Sequence, residues 1–264
     1  MEINDSVALV TGGGSGIGEV IAYELARKGC SISVVDMDEA SANRVAEKII
    51  KEGGKAISTQ ANVVDEADTE KFIELTIDSF EKLNIVIPCA GIIRDGLFIN
   101  PDKEKNKIKK KLDISKWKSV IDVNLTGSFL TIRDCSEAIF NGKWPGLIIP
   151  ISSINKVGQL GQLNYSSTKV AISLFPKILI GEFMMRGIKN IRVVGLAPGY
   201  TSTALVEKMD QSILDSLIKD VCLGRLIDPK EIASLVMHCI QNEALNGTTI
   251  EITGGICHPG SIAK

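Results

Sequence analysis

Short apolar runs alternate along this chain with segments in which apolar residues recur every three or four positions. The short runs are typical of buried strands, and the periodic segments are typical of amphipathic helices. Their alternation predicts βαβ units around a parallel sheet. The sequence therefore predicts a single α/β domain over residues 1–264, a doubly wound sheet of about seven parallel strands flanked by helices. The predicted strands are Val7–Val10, Ser31–Val35, Ala56–Gln60, Ile85–Ile87, Leu147–Ile151, Ile191–Leu196 and Thr248–Ile252.

Glycines and capping residues mark several helix ends. Helical periodicity covers Glu19–Lys28 and about Glu39–Glu52, and each segment is followed by glycine, which favours helix termination. Asp228, Pro229 and Glu231 predict a helix start, with Asp at the N-cap, Pro at the first helical position and Glu at the third.

One stretch breaks the alternation of strands and helices. Asn100–Leu112 is polar and carries six lysines, whereas the whole chain has a formal net charge of −2. We therefore expect a long loop or a small surface excursion at about residues 100–112, solvated in the ordinary case. The lysines are Lys103, Lys105, Lys107, Lys109, Lys110 and Lys111.

A glycine-rich turn follows the first predicted strand. Thr11–Gly18 reads Thr-Gly-Gly-Gly-Ser-Gly-Ile-Gly and fits the spacing G-x-x-x-G-x-G. Glycines here let the backbone turn tightly and approach a pyrophosphate, and the following helix offers its N-terminal N–H groups to the anion. The turn therefore predicts a dinucleotide site of the Rossmann type. The expected contacts are Gly12, Ser15, Gly16, Ile17 and Gly18.

An acidic residue ends the second predicted strand. Asp36 lies 18 residues after Gly18, close to the spacing of the acid that binds ribose hydroxyls in dinucleotide sites. A carboxylate there accepts hydrogen bonds from the ribose and repels a 2′-phosphate. Asp36, with the adjacent Met37, therefore predicts NAD(H) in preference to NADP(H). The alternative is a solvated aspartate that caps the turn before Met37 and Asp38.

Tyr165 and Lys169 stand at positions i and i+4, so they share a face if the segment is helical. A free tyrosine has a pKa of about 10 and is a poor base at neutral pH. A neighbouring ammonium favours the phenolate, which makes the pair a candidate general acid/base. The alternative is an exposed helix pair. Candidate partners are Asn124, inside a helical pattern, and the serines Ser152 and Ser153, at the end of a predicted strand.

Together these motifs resemble the short-chain dehydrogenase/reductase family over nearly the whole chain. The resemblance implies that Tyr165 is the general acid/base and that Lys169 lowers its pKa and binds the nicotinamide ribose. It implies that Asn124 supports a water-linked proton relay to Lys169, and that a serine polarises the substrate carbonyl. Asn62 and Val63 would flank the adenine. Further cofactor contacts implied by the family are Cys89, Ala90, Gly91, Tyr165, Lys169, Pro198, Gly199, Thr201 and Thr203.

The chain departs from the family pattern at two places. Pro88-Cys89-Ala90-Gly91 stands where the family usually has Asn-Asn-Ala-Gly, which removes polar side chains that brace the cofactor floor. The usual serine-to-tyrosine spacing selects Ser152, whereas the register of the strand end selects Ser153. We favour Ser153, because side chains alternate along a strand and the sheet sets their direction.

The segments Gly91–Leu97 and Gly158–Tyr165 look like those of 3-oxoacyl-(acyl carrier protein) reductases and acetoacetyl-CoA reductases. The resemblance implies interconversion of a ketone and a secondary alcohol, on a 3-oxoacyl or 3-hydroxyacyl substrate. The alternatives are a dehydrogenase of a sugar, polyol or steroid-like alcohol, and a non-catalytic dinucleotide-binding regulator. Biosynthetic acyl reductases usually use NADPH, and Asp36 departs from that pattern. Whether the enzyme mainly reduces the ketone or oxidises the alcohol therefore stays open. The lysine-rich stretch would attract either CoA phosphates or an acidic carrier protein.

Composition and charge bear on which partners and which location to expect. The net charge of −2 gives no reason to expect nucleic acid or an anionic membrane, and no apolar run suits a membrane span. The N-terminal segment lacks the features of a signal peptide, which predicts a cytoplasmic protein. We expect no metal site, a packed His238 and, from the family, a homotetramer. The cysteines are predicted to be reduced core residues: Cys30, Cys89, Cys135, Cys222, Cys239 and Cys257.

Overall fold

The seven apolar runs form one parallel sheet in the computed structural model, which describes residues 1–102, 104, 107–207 and 209–256. The order of strands in the sheet is β3-β2-β1-β4-β7-β8-β9, and a separate antiparallel hairpin contains β5 and β6. The predicted doubly wound α/β fold is confirmed. The strands are β1 (Val7–Thr11), β2 (Ser31–Asp36), β3 (Ala56–Gln60), β4 (Ile85–Pro88), β5 (Ile99–Asp102), β6 (Lys107–Lys111), β7 (Gly146–Ile148), β8 (Ile191–Pro198) and β9 (Thr248–Ile252).

Helices cover both faces of the sheet. Along β1, Ala8 and Val10 contribute to one core and Leu9 to the other, because successive side chains of a strand point to opposite faces. The first core takes residues from α1, α2 and α9, and the second takes residues from α3 and α5. The helices are α1 (Gly16–Ala26), α2 (Glu39–Lys51), α3 (Glu66–Phe80), α4 (Ile114–Val120), α5 (Gly127–Asn141), α6 (Leu163–Met185), α7 (Ala204–Glu207), α8 (Gln211–Lys219) and α9 (Pro229–Gln241).

Capping residues, glycines and a proline determine where several helices and strands begin or end. The capping box predicted for α9 is confirmed, since Asp228 accepts from the N–H of Lys230 (2.8 Å) and Glu231 accepts from the N–H of Asp228 (2.9 Å). The first helix begins at Gly16, earlier than predicted, because the glycine-rich turn runs directly into it. The strand predicted to reach Ile151 ends earlier, because Pro150 has no N–H to donate.

The lysine-rich excursion is a β-hairpin rather than a loop. Ile99–Asp102 pairs with Lys107–Lys111, and the side chains of the second strand are all exposed. The hairpin was not predicted because both faces of Lys107–Lys111 are exposed to solvent. The strand therefore lacks the alternation of apolar and polar residues by which a half-buried strand is recognised. Lys103 and Lys105 lie outside the described residues.

Several expectations concern residues away from the sheet. His238 is exposed on α9, one turn from the helix end, so the prediction of a packed side chain is wrong. Over the described ranges, no helix is long and apolar enough to span a bilayer, and no group of metal-ligating side chains is present. Cys30, Cys89, Cys135 and Cys239 are free. Cys30, Cys135 and Cys239 are buried, whereas Cys222 is exposed. Cys257 and His258 lie outside these ranges.

Candidate active site

A cavity of about 570 Å³ opens at the carboxyl ends of β1 to β4. The winding of the chain reverses between β1 and β4, and ligands of doubly wound folds bind at this reversal. We call it the first cavity. It brings together most residues predicted to contact a dinucleotide, namely Gly12, Ser15, Gly16, Ile17, Asp36, Met37, Asn62, Val63, Cys89, Ala90, Gly91 and Thr203.

The glycine-rich turn forms one wall of the first cavity. Gly12 has a φ of 64°, and a Cβ there would lie 2.8 Å from the Ala90 backbone, so no side chain fits. Gly18 does not line the cavity. A Cβ at Gly18 would collide with the carbonyl oxygen of Gly12, so this glycine brings α1 against the turn instead. The turn therefore exposes backbone at the position where a pyrophosphate would approach.

Asp36 faces the first cavity and also braces the turn. Its Oδ2 accepts a hydrogen bond from the Gly14 N–H and its Oδ1 accepts one from the Asp38 N–H, both at 3.0 Å. Asp36 thus does both things that were considered for it: it caps the turn, and it faces the cavity. Among the residues that the structure describes, none that lines the first cavity is a lysine or arginine.

Arg44 supports the same turn from α2 and was not predicted. Its guanidinium donates to the Gly14 carbonyl oxygen (2.8 Å) and pairs with both carboxylate oxygens of Glu19 (2.6 and 2.9 Å). Because Arg44 lies 30 residues from Gly14 in the chain, no local motif indicates the contact.

A second cavity of about 620 Å³ adjoins the first and shares with it Ile17, Cys89, Gly91, Ile92 and Thr203. Tyr165, Lys169 and Ser153 line this second cavity. It also contains Pro198, Gly199, Thr201 and Thr203, from the carboxyl end of β8 and the segment that follows.

Burial changes the ionisation of Tyr165 and Lys169, which lie in the first turns of α6. It raises the pKa of the Tyr165 phenol to about 12, while a hydrogen bond from Ser153 acts in the opposite direction. Burial lowers the pKa of Lys169 to about 8. Lys169 Nζ lies 5.4 Å from the centre of the Tyr165 ring and donates to the Ile151 carbonyl oxygen (2.8 Å). Burial thus gives the Tyr165 pKa a direction opposite to the lowering that we predicted from Lys169.

The two serines at the strand end point in different directions. Ser153 faces Tyr165 in the second cavity. Ser152 is buried, and its hydroxyl donates to the Lys169 carbonyl oxygen (2.8 Å) and lies 2.6 Å from Ser173 Oγ. Both serines line the second cavity and Ser152 also ties the strand end to α6, so the choice of Ser153 for contact with a substrate stays a prediction.

Asn124 is fully buried in a π-helical turn, Ile121–Thr126, between α4 and α5. Its side chain accepts from the Ile92 N–H (2.8 Å) and donates to the Ile92 carbonyl oxygen (3.0 Å), so it bonds neither to solvent nor to its own helix. A Cβ at Gly91 would lie 3.3 Å from Asn124 Oδ1 and 3.8 Å from Lys169 Nζ. Asn124 therefore fixes the segment after β4 beside Lys169, and the water-linked relay stays a prediction.

Cys89 occupies the boundary between the cavities, at the departure from the usual family motif. Burial raises the pKa of its thiol to about 11, so the side chain is neutral at physiological pH. The neighbouring backbone keeps its turn, since the N–H of Ala90 donates to Thr11 Oγ1 (3.4 Å). This boundary thus carries a small neutral side chain beside a backbone that is bonded to Thr11.

Comparison with known proteins gives matches along nearly the whole chain. A family model described as short chain dehydrogenase matches residues 6–213. A (3R)-3-hydroxyacyl-CoA dehydrogenase of Canis lupus familiaris is 30% identical, over 97% of this chain and 98% of that protein. A 3-oxoacyl-(acyl-carrier-protein) reductase of Synechocystis sp. is 32% identical, over 95% and 96%. An acetoacetyl-CoA reductase of Allochromatium vinosum is 30% identical, over 95% and 98%.

Proposed function

Since this chain belongs to the short-chain dehydrogenase/reductase family and is an oxidoreductase acting on CH–OH groups, we propose that it interconverts 3-oxoacyl and 3-hydroxyacyl thioesters with NAD(H). The observation that carries the proposal is the meeting of Ser153, Tyr165 and Lys169 in a cavity that adjoins the first cavity. A ketone held in the second cavity would therefore lie next to a dinucleotide held in the first.

In the direction of reduction, the Ser153 and Tyr165 hydroxyls donate hydrogen bonds to the ketone oxygen. A dinucleotide held in the first cavity would supply the hydride and, in its oxidised form, a positive charge. Tyr165 gives its proton to the oxygen, and the charge of Lys169 stabilises the phenolate that remains. A Tyr165 pKa of about 12 keeps the phenol protonated and able to donate at neutral pH. Alcohol oxidation reverses these steps.

The preference for NAD(H) rests on charge in the first cavity. The Asp36 carboxylate lies where ribose hydroxyls would donate to it, and it would repel a 2′-phosphate. The described residues that line this cavity include no lysine or arginine to pair with that phosphate. The glycines of the turn, with Ile17, Asn62, Val63 and Gly91, would hold the rest of the dinucleotide.

The names of the relatives support a thioester substrate, since they include enzymes of acyl-CoA and acyl-carrier chemistry. The β5–β6 hairpin, which begins four residues after the cavity-lining Asp95, adds exposed lysines. Such lysines would attract an anionic carrier group.

A substrate panel tests the proposal. NADH absorbance, followed in both directions, should report turnover of 3-oxobutyryl-CoA and 3-hydroxybutyryl-CoA at higher kcat/KM than of simple ketones, sugars or polyols. Preferred turnover of a sugar, polyol or steroid-like alcohol would replace the substrate class, and no turnover of any carbonyl or alcohol would contradict the proposal.

The proposed assembly is a homotetramer. Apolar side chains on α5 and α6 are exposed in the single chain, and a groove of about 390 Å³ between these helices is lined by Phe129, Phe175, Ile178 and Phe183. Contiguous exposed apolar surface of this kind supports burial against another copy. Light scattering at micromolar concentration should give a tetramer, and a monomer would contradict the assignment. The free, buried thiols of Cys30, Cys135 and Cys239 suit a reducing compartment, and we propose the cytoplasm.

A further inference from the structure

Side chains hold the middle of the glycine-rich turn on both sides. The Gly14 N–H donates to Asp36 Oδ2 (3.0 Å), and the Gly14 carbonyl oxygen accepts from Arg44 Nη2 (2.8 Å). A Cβ at Gly14 would lie 2.8 Å from Ser41 Cβ and 2.9 Å from Asp36 Oδ2, so this position has no room for a side chain. Glycine has the greatest backbone freedom of any residue, so these two hydrogen bonds are needed to fix the turn here.

Arg44 is itself held in one orientation. Its Nη1 and Nη2 donate to the two carboxylate oxygens of Glu19 (2.6 and 2.9 Å), which lies in the first turn of α1. Two parallel hydrogen bonds of this kind fix a guanidinium and a carboxylate relative to each other. The Arg44 guanidinium therefore joins α1, α2 and the glycine-rich turn at one point.

The contact with Gly14 sets the direction of a neighbouring donor. The Gly14 carbonyl and the Ser15 N–H belong to one planar trans peptide, so they point in opposite directions. While the carbonyl is bound by Arg44, the Ser15 N–H points away from Arg44. Ser15 lines the first cavity, whereas Arg44 is not among the described residues that do so. Rotation of this peptide would reverse its dipole and present a carbonyl oxygen where an anion needs a donor.

The ion pair itself adds little to stability. The Arg44 side chain is 52% exposed, and exposed pairs contribute little to the free energy of unfolding. The contribution of Arg44 is therefore to orientation, through the one carbonyl oxygen that it binds in the turn.

We propose that Arg44 is a positioning residue for the dinucleotide, which holds the Gly14 carbonyl so that the Ser15 N–H stays directed toward the cofactor phosphates. The inference rests on the proposed binding of NAD(H) in the first cavity and extends it to a residue outside that cavity. A turn that is already oriented binds the cofactor without the cost of ordering the peptide.

The test measures the Kd for NADH by fluorescence titration. Arg44→Met removes the donors and keeps an unbranched side chain, so the Kd should rise about tenfold, in keeping with the loss of a charge-assisted hydrogen bond. The kcat for 3-oxobutyryl-CoA at saturating NADH should change less than about twofold, because the second cavity is intact. An unchanged Kd, or a loss of kcat as large as the loss of affinity, would overturn the positioning role.

Arg27→Met is the matched control. Arg27 also joins α1 to α2, at the far end of both helices, through Glu24 (2.7 Å) and Glu52 (3.3 Å). Its side chain is 47% exposed, so the two variants should lose similar, small amounts of stability in urea unfolding. Only Arg44→Met should raise the Kd for NADH. An equal rise in Arg27→Met would show that linkage of the helices is sufficient, and would contradict the proposal.

Glu19→Gln separates orientation from charge. If the charge of Arg44 attracts the cofactor phosphates from a distance, removal of the Glu19 charge should tighten NADH binding. If orientation matters, binding should weaken a few-fold, because glutamine offers the guanidinium one acceptor oxygen in place of two. Tighter or unchanged binding in Glu19→Gln would overturn the proposal.

Salt provides a second check on the same distinction. The Debye length is about 3 Å in 1 M salt, so attraction over a longer distance is screened there. The difference in Kd between the natural protein and Arg44→Met should persist in 1 M NaCl, and its disappearance would assign the effect to charge.

The outcomes also separate this inference from the proposed function. If the natural protein binds NADH, and Arg44→Met binds it equally well, the role of Arg44 is wrong and the proposed function stands. If the natural protein binds no NADH, both fail.

Discussion

The first and second cavities adjoin, yet they are built differently. The first has the glycine-rich turn as one wall, and Asp36, the one acid among its described lining residues, is held by two backbone N–H groups. The second depends on buried side chains, with the pKa of Tyr165 raised and that of Lys169 lowered. Backbone provides shape for binding, whereas desolvated side chains provide proton chemistry. Substitutions in the two cavities should therefore separate cofactor choice from turnover.

The largest expected effect lies in the second cavity. Tyr165→Phe keeps the ring and removes the proton that is transferred, so kcat should fall by about 100-fold or more. NADH binding, followed by fluorescence titration, should stay nearly unchanged because the first cavity is intact. Substantial turnover in this variant would remove Tyr165 from the mechanism.

The matching change in the first cavity should alter cofactor choice. We expect the natural protein to prefer NADH over NADPH by at least about tenfold in kcat/KM, and Asp36→Ala to reduce that preference by relieving repulsion of the 2′-phosphate. Asp38→Ala is the control, because Asp38 is an exposed N-cap of α2 that does not line the cavity. Equal efficiency with NADPH in the natural protein would refute the role of Asp36.

The two serines divide chemistry from support within the second cavity. Ser153→Ala should lower kcat about tenfold by removing a hydrogen bond to the ketone oxygen. Ser152→Ala should act mainly on the free energy of unfolding, by about 1 kcal/mol, because its hydroxyl is buried and bonds to α6. Steady-state kinetics and urea unfolding of both variants distinguish these outcomes, and a larger loss of kcat in Ser152→Ala would reverse the assignment.

The rate of ketone reduction should also depend on pH. Lys169 is charged below its pKa of about 8 and loses that charge as the pH rises through this value. Its stabilisation of the phenolate is then lost, so kcat for reduction should fall severalfold on the alkaline side. A rate that stays level well above this pH would show that the charge of Lys169 is not required.

The smallest effect is expected outside both cavities. Replacing Lys109, Lys110 and Lys111 with glutamine should raise KM a few-fold for a CoA- or carrier-linked ketone at low salt and leave a small uncharged ketone unaffected. An equal response of both substrates, or no response at any ionic strength, would make the hairpin ordinary surface.

The contrast also explains which features a sequence reveals. The glycine-rich turn, Asp36 and the Tyr165–Lys169 pair are local patterns, and strand alternation was enough to favour Ser153. The Arg44 contact with Gly14 and the Gln162 contact with Asp95 span 30 and 67 residues, so only the folded chain brings these partners together.

Transfer of deuterium is the most direct test of the claim that the two cavities join hydride and proton chemistry. NADH deuterated at its reactive carbon should be incubated with 3-oxobutyryl-CoA and the product examined by mass spectrometry. The account predicts 3-hydroxybutyryl-CoA with one deuterium on the new alcohol carbon. No alcohol product, or an alcohol without deuterium at that carbon, would contradict it.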